Sequence, residues 1–304
     1  MSAAEKARVL FFVGVVALIY VGAAGSIFNY IRRRKQAAFK AALFVGLAAI
    51  GLLCVAYGYF IEPNWLQVTH ITIPSSKIPS GITPIRIAHI SDLHSDPRPR
   101  LEAALANAIE AEHPDVIVFT GDSINSREGL PVFRAFLSRL SRAAPTFVVR
   151  GNWDAWYWND VNLFEATGAH HLDGKAESIE IEGVTLWLSG LDVASESNVE
   201  EVLRSAPPNA FTVFLHHYPD MIEDVAARSI DLYCAGHTHG GQIAMPLYGA
   251  LVTLSRFGKR YESGLYREKD TTLYVNRGIG MEGGVPRVRF WSRPELTVMD
   301  LVPR

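Results

Sequence analysis

The sequence predicts an α/β fold: a β-sandwich of two packed sheets flanked by helices, preceded by a two-helix transmembrane hairpin. Three observations predict it. Two apolar runs, at 9–31 and 41–61, occupy most of the first 61 positions. Beyond them, short strand-like apolar runs each end in a polar patch, and Asp92, Asp122 and Asn152 in three of these patches are 30 residues apart. That is the length of one strand–helix–strand unit, so the spacing argues for consecutive right-handed βαβ crossovers. Past residue 178 strand-like runs dominate.

The run from Val9 to Ile31 is apolar apart from Ser26 and Asn29, and the run from Ala41 to Ile61 carries no charge. Each is about the 20 residues that a helix needs to cross a hydrocarbon core of about 30 Å. A buried soluble hairpin of that length would show a polar stripe, and these runs show none. The small residues of Val21–Ser26 resemble a signal-peptide cleavage site, but cleavage would leave Arg32-Arg33-Arg34-Lys35 near the new amino terminus, where such charges resist export. Two spans joined by a basic loop (32–40) are therefore expected, followed by a linker (62–81) and a globular domain (82–304). The five basic residues between the spans outweigh Lys6, Arg8 and the α-amino group, which places the loop in the cytoplasm and the domain outside it. The compact design predicts a multi-pass protein of a bacterial inner membrane.

With 49% hydrophobic and 20% charged residues, the remainder is large enough for one α/β domain with a substantial core. Residues 1–61 carry a net charge of +6 and the rest −8. An acidic globular part is a poor match to phosphate backbones, so no nucleic-acid partner is expected. The two cysteines, Cys54 in a membrane-like run and Cys234 in a predicted core strand, are not expected to pair.

The elements follow in order. Residues 66–73 alternate as a half-exposed strand, and Pro74 to Pro84 is a turn region. Strands are expected at 85–90, 116–119 and 147–149, with helices at about 100–112 and 130–142 between them. Later strands are expected at 211–215, 232–235, 272–275, 285–291 and 296–301.

Five strands end in chemistry-bearing patches: Asp92-Leu93-His94, Gly121-Asp122, Gly151-Asn152, His216-His217 and Gly236-His237-Thr238-His239. The carboxyl ends of neighbouring strands converge on one crevice, and nitrogen and oxygen donors pooled there point to a metal site. One Asp-x-His arises easily by chance in a chain with 10 histidines; five patches, each behind an apolar strand, do not. If Asp92/His94 and His237/His239 are extended, both members of each pair point the same way. The glycines at 121, 151 and 236 are expected to permit sharp turns.

This ordered set resembles the calcineurin-like metallophosphoesterase superfamily over roughly residues 82 to 301. The resemblance implies that Asp92, His94 and His239 hold one divalent metal and that Asn152, His217 and His237 hold the other. Asp122 bridges both, and Asp92, Asp122 and Asn152 are the expected catalytic core. Metals about 3.5–4 Å apart would share and activate a water for in-line attack on phosphorus. Such donors suit Mn, Fe or Zn better than Mg, and the resemblance leans to Mn. His217, followed by Tyr218-Pro219-Asp220, matches the position of the family's ligand; its neighbour His216 faces the other way and is expected to pack behind the site or touch substrate.

The chain departs from the family pattern at Trp153, where a histidine usually follows Gly-Asn and assists the leaving group. Indole supplies no titratable proton. Either His89, His170 or His171 substitutes, or the leaving group needs no acid, as in a pyrophosphate or activated diester. Among membrane-anchored bacterial relatives, the resemblance points most specifically to cleavage of UDP-2,3-diacylglucosamine, a lipid A precursor. Expected partners are thus the bilayer and a phosphorylated lipid or nucleotide-linked lipid. Trp153, Arg98, Arg100, Arg277 and His216 are the candidate substrate contacts, with Trp156, Tyr157 and Trp158 extending an aromatic cluster that serves either as a platform or as packing. Gln242, after Gly240-Gly241, is expected to support the site. Two alternatives stand beside this reading: a general extracytoplasmic phosphodiesterase or phosphatase, and a metal-free scaffold, which the presence of all seven ligands disfavours. A nucleotide-linked substrate and the charge pattern point to opposite sides of the membrane.

Overall fold

Residues 1–33, 38–204, 206–283 and 287–304 are described by the structure, a computed structural model. Two long helices come first, α1 (Ala3–Arg33) and α2 (Ala38–Ala56). Both are long and apolar enough to cross a bilayer. They leave large apolar side chains such as Phe11, Leu18, Val21, Leu52 and Leu53 exposed along their length, an arrangement costly in water and natural in lipid. They pack on each other, and Tyr20 Oη donates to the Ala48 carbonyl at 3.3 Å. Helix α1 extends beyond the expected span at both ends and includes Arg32. Arg34 and Lys35, part of the basic loop on which the orientation rests, lie outside the described residues. After α2 the chain makes a π turn (Tyr57–Ile61) and a 3-10 turn (Glu62–Asn64) containing Pro63, which has no N–H with which to continue the helix.

The first half of the remaining chain supplies β1 (Gln67–Ser75), β2 (Ile85–Ile90), α3 (Glu102–Ala111), β3 (Val116–Phe119), α4 (Leu130–Ala143), β4 (Thr146–Val148), α5 (Asn152–Tyr157) and β5 (His170–His171). The second half supplies β6 (Lys175–Ile181), β7 (Val184–Leu191), α6 (Val199–Arg204), β8 (Phe211–His216), α7 (Ile222–Ala226) and β9 (Leu232–Ala235). It continues with the short hairpin β10 (Ala244–Met245) and β11 (Gly249–Ala250), then β12 (Gly264–Glu268), β13 (Thr271–Val275) and β14 (Glu295–Pro303). One six-stranded sheet has the order β1-β14-β2-β3-β4-β5, the other β12-β13-β9-β8-β7-β6. β2, β3, β4 and β5 are mutually parallel, as are β7, β8, β9 and β13.

Strand alternation builds the layers. Ile85, Ile87, Val116, Val118 and Phe147 face the second sheet and pack with Leu186, Leu188, Val213, Leu215 and Cys234. Their neighbours Ala88, Ile90, Ile117, Phe119 and Val148 face outward onto Leu105, Ile109, Phe133, Leu137 and Leu140 of α3 and α4. The second sheet covers its outer face with α6 and α7 through Phe214, Tyr233, Val202 and Val225. The sandwich thus has four layers, helices outside and sheets inside, as the sequence predicts.

Two expectations are corrected. The segment 62–81, expected as a linker, contains β1, which joins the first sheet beside β14. The strand expected at 285–291 is absent from its described part. Residues 285 and 286 lie outside the described residues, and beyond them only Phe290 makes a single bridge, to Ile243. There Arg289 turns its side chain inward, and its backbone N–H donates to the Gly58 carbonyl in the π turn that follows α2. A side chain that must reach four buried acceptors cannot keep strand alternation.

Candidate metal centre

The βαβ crossovers deliver the seven candidate ligands to one end of the sandwich. Asp92 and His94 follow β2, Asp122 follows β3, and Asn152 opens α5 just after β4. His217 follows β8, while His237 and His239 follow β9. All seven are at most 5% exposed. Ligand atoms of Asp92, His94, Asp122 and His239 lie within 4.8 Å of one another. Asp122 Oδ2 is 3.5 Å from His94 Nε2 and 3.3 Å from His217 Nε2, nearly midway between them. Asp92 Oδ1 is 3.2 Å from His239 Nε2 and 3.8 Å from His217 Nε2.

Several buried atoms of this group have no hydrogen-bond partner: Asn152 Oδ1, both ring nitrogens of His94, and Nε2 of His217, His237 and His239. Each buried orphan costs about 1–3 kcal/mol, so a cluster of them is the signature of a site shaped for a cation. His217 is already set for that role. Its Nδ1 is 2.7 Å from the Thr120 carbonyl and must donate to it, which turns Nε2 toward the carboxylates as the atom that a cation would take.

The backbone differs from the expected extended pairs. Asp92, His94, Asp122, His237 and His239 all have positive φ, from 44° to 72°. Left-handed non-glycine residues cost of order 1–3 kcal/mol each and cluster at functional sites, although Asp and His tolerate the region better than most. The loops are held by bonds to each other instead of by strand geometry. Asp92 N donates to Gly121 O, His94 N to Asp122 O, and Ser95 N to Ser123 O, all at 2.9–3.0 Å.

Gly236 shows why glycine is needed beside a ligand. Its φ is not positive; a Cβ there would lie 1.9 Å from Ser91 Oγ and 2.4 Å from Asp92 Oδ2. Close approach, and not the sharp turn expected, fixes glycine at this position. Gly236→Ala should displace Asp92, cost about 1–3 kcal/mol as overpacking does, and lower metal affinity about tenfold; calorimetric titration with Mn²⁺ would read it.

Electrostatics fit the same picture. Burial alone would raise the Asp92 pKa, but His239, His217 and His94 outweigh it and hold the carboxyl well below its usual range. Burial would lower His217, yet the charges of Asp122 and Asp92 at 3.3 Å and 3.8 Å from its Nε2, with the hydrogen bond to Thr120, lift it to about 10, so a cation that took Nε2 would displace a proton. Burial prevails at His94 and His237, which fall to about 4 and about 3. The site therefore holds two carboxylates against a shortage of positive charge, which a divalent cation would supply.

Two supporting residues were not singled out from the sequence. Asp154 accepts from the backbone N–H of Asp122 (2.9 Å), Ser123 (2.8 Å) and Gly151 (3.0 Å) and from Ser123 Oγ (3.2 Å). Burial and the Asp122 charge raise its pKa to about 7, against the lowering effect of the Gly151 and Ser123 N–H groups. Its place at the third position of a helix that starts at Asn152 is a capping signal that the sequence does carry. Arg289 is fully buried; it donates to the carbonyls of Gly280, Arg277 and Ser292 and approaches His239 Nδ1 at 3.3 Å. No local pattern announces it.

The expected substrate contacts divide. Trp153 is at the centre: its backbone N–H donates to Asp122 Oδ1 at 2.8 Å, and its ring meets His94 edge to face at 5.5 Å. Its Nε1 is buried without a partner. Tyr157 packs on Trp153, Trp158 donates to the Ile124 carbonyl, and Trp156 is exposed. His216 is packed, its Nδ1 2.9 Å from the Leu191 carbonyl and its ring against Phe214. Arg277, expected as a clamp, is committed to Glu295 at 3.0 Å. Arg100 donates to the carbonyls of Pro63 and Ile279. Arg98 is exposed on the rim of a groove shared with Tyr59 and Phe60. Gln242 is bonded through its backbone to His239 and Phe290. None of the proposed substitutes for the missing histidine is free: His89 meets Thr120, His170 meets Glu177, and His171 meets Asp192.

Comparison with known proteins bears on this geometry. The sequence profile of the family described as Calcineurin-like phosphoesterase matches residues 85–241. A Bacillus subtilis protein, Uncharacterized metallophosphoesterase YkuE, is 32% identical over 285 residues, covering 89% of this chain and 99% of the relative. Phosphodiesterase YaeI of Escherichia coli is 29% identical and covers 81% of this chain and 92% of its own length. UDP-2,3-diacylglucosamine pyrophosphatase LpxG of Chlamydia trachomatis is 26% identical, with 83% and 94% covered.

Proposed function

The chain belongs to the calcineurin-like phosphoesterase family, and we propose that it is a membrane-anchored, dinuclear metal-dependent hydrolase of a phosphodiester or pyrophosphate bond in a lipid-linked substrate. It is a hydrolase of phosphoester bonds by family; the finer reading rests on the site and on the helices. In this reading residues 1–61 are the anchor and the rest is the catalytic unit. Asp92, His94 and His239 hold one cation, Asn152, His217 and His237 the other, and Asp122 lies between. The carrying observation is Asp122 Oδ2, nearly equidistant from His94 and His217 among unpartnered buried donors. The donor set suits Mn, Fe or Zn better than Mg, and the likeness to the family leans to Mn.

When bound, the cation pair supplies Lewis acidity that activates water and neutralises phosphoryl charge. The chain's own residues do the rest. Asp122, Asp92 and Asn152 set the spacing of the donors, and burial keeps bulk water out. Trp153 Nε1 offers a donor whose proton does not titrate, suited to a phosphoryl oxygen. With tryptophan in place of the usual histidine after Asn152, the site favours leaving groups that depart as stable anions, such as a nucleotide phosphate. UDP-2,3-diacylglucosamine is therefore the first substrate to assay, supported by the likeness to LpxG.

Purified protein with Mn²⁺ should turn over that lipid or bis(p-nitrophenyl) phosphate, and chelation should abolish turnover. Chelation should also lower the thermal midpoint, since a ligand at 100 times its Kd stabilises by about 2.7 kcal/mol. No metal-dependent turnover of any phosphorus substrate would reject the proposal. Trp153→Phe should lower kcat/KM by about 10²-fold, the scale of one lost donor. Trp153→His should raise turnover of alkyl diesters relative to aryl ones. That gain should fade as pH rises past about 6.5, because the acid must be protonated to act; a pH–rate profile of both variants checks this.

A second reading, a general extracytoplasmic phosphodiesterase, draws on the likeness to YaeI and on the five basic residues between the two spans, which outweigh Lys6 and Arg8. A reporter fused at the carboxyl terminus separates the two: a cytoplasmic signal removes the second, and an external signal removes the nucleotide-linked substrate.

A further inference from the structure

A cavity of about 450 Å³ lies between the first membrane helix and the metal centre. Val9 and Phe12 of α1 form one wall, Leu251 and Val252 form part of the other, and His237 and His239 stand at its end. This lining joins apolar side chains of α1 and of Leu251–Val252 to the candidate ligands His237 and His239, so it matches an amphiphile and not a free headgroup. The wall is fixed in place: Glu5 of α1 is 2% exposed, and its Oε1 accepts from the backbone N–H of Thr253 (2.9 Å) and Leu254 (3.2 Å). The second helix is tied to the same region, since Glu62 accepts from Trp291 N and Ser292 N, and Ser292 Oγ donates to the His239 carbonyl. Both helices thus grip the segments that carry and support His239. A plain tether needs neither a buried carboxylate latch nor a cavity.

We infer that α1 is a wall of the substrate site and that this cavity receives an acyl chain of a lipid whose phosphoester lies at His237 and His239. The inference rests on the proposed hydrolase and adds where the substrate's apolar part sits. The apolar surface of α1 continues from the cavity into the span, so a chain enters sideways from the bilayer without crossing water. The recognised class is a diacylated phosphodiester or pyrophosphate, held by chain and head together.

The test uses the full chain in nanodiscs with a phospholipid bearing a diazirine at the end of one acyl chain, and peptide mapping after photolysis. Label is expected on the peptides of Phe12 and of Leu251–Val252. Short-chain monomeric phosphodiesters should compete about fourfold better per added methylene, and the chain-free glycerophosphodiester should not compete. Leu251→Trp, and independently Val252→Trp, should cut this label about tenfold while label on Leu18 and Leu52 persists. Label spread along both helices in proportion to exposure, without competition, overturns the inference. Metal-dependent turnover of UDP-2,3-diacylglucosamine and of bis(p-nitrophenyl) phosphate, measured in parallel, tests the hydrolase separately: its absence on every phosphorus substrate rejects that reading, while the labelling still decides this one.

Discussion

Replacing Asp122 by asparagine is expected to lower metal-dependent phosphodiester turnover by on the order of 10³-fold. One carboxylate oxygen is occupied by the Trp153 N–H, and the other sits 3.5 Å and 3.3 Å from histidines of the two proposed ligand sets. Asparagine keeps the first bond through its own oxygen. Its amide nitrogen then faces His94 and His217, where a donor repels a cation and the negative charge is gone. Asparagine also tolerates the φ of 60° at this position, so the fold should persist, with the metal-free thermal midpoint within a few degrees of the parent. Elemental analysis should show metal falling from two equivalents to one or fewer. Asp92 is less symmetric, at 3.2 Å from His239 and 3.8 Å from His217, so Asp92→Asn should weaken chiefly one metal. Two full equivalents and normal turnover in Asp122→Asn would refute the shared-carboxylate geometry.

What the sequence reveals about this site depends on how local each cause is. The strands before Asp92, Asp122 and His237 are visible because a buried parallel strand is a short apolar run, and the 30-residue spacing is the length of the crossover itself. The gathering of the seven candidate ligands at one end of the sandwich follows from that topology. Their backbone does not: positive φ at Asp92, His94 and His239 is imposed by bonds to a neighbouring loop, such as Asp92 N to Gly121 O. Arg289 is invisible for the same reason. Its acceptors are carbonyls brought together only by the fold, and an arginine after Val285 reads as an ordinary exposed strand residue. β1 reads as a strand yet falls in an expected linker, because its parallel partner lies over 200 residues away at the carboxyl end. The spans were visible from composition alone. The latch at Glu5 was not, since a single acidic residue near the start of a helix ordinarily faces water.

Asp154→Ala is expected to destabilise the protein by about 3–5 kcal/mol, the scale of breaking a buried charged cluster, and to abolish high-affinity binding of the second metal. Asp154 joins two loops: its carboxylate accepts from Asp122 N and Ser123 N on one side and from Gly151 N on the other. All its contacts donate to it, so the ionised form suits this geometry, even though burial beside Asp122 lifts its pKa to about 7. Alanine leaves three backbone N–H groups and one hydroxyl unsatisfied at about 1–3 kcal/mol each before relaxation. The loops that aim Asp122 and Asn152 would then lose their common fastening. Asp154→Asn is the informative intermediate. Its single oxygen can serve the donors at Oδ2 or the Ser123 N–H at Oδ1, and its amide must face whichever it abandons. Denaturant unfolding of the metal-free proteins should rank wild type above Asn and Asn above Ala, with metal affinity in the same order. Equal stability of all three would show that the loops hold each other without the carboxylate. Metal loss with unchanged stability would make Asp154 a determinant of ligand position and not of the fold.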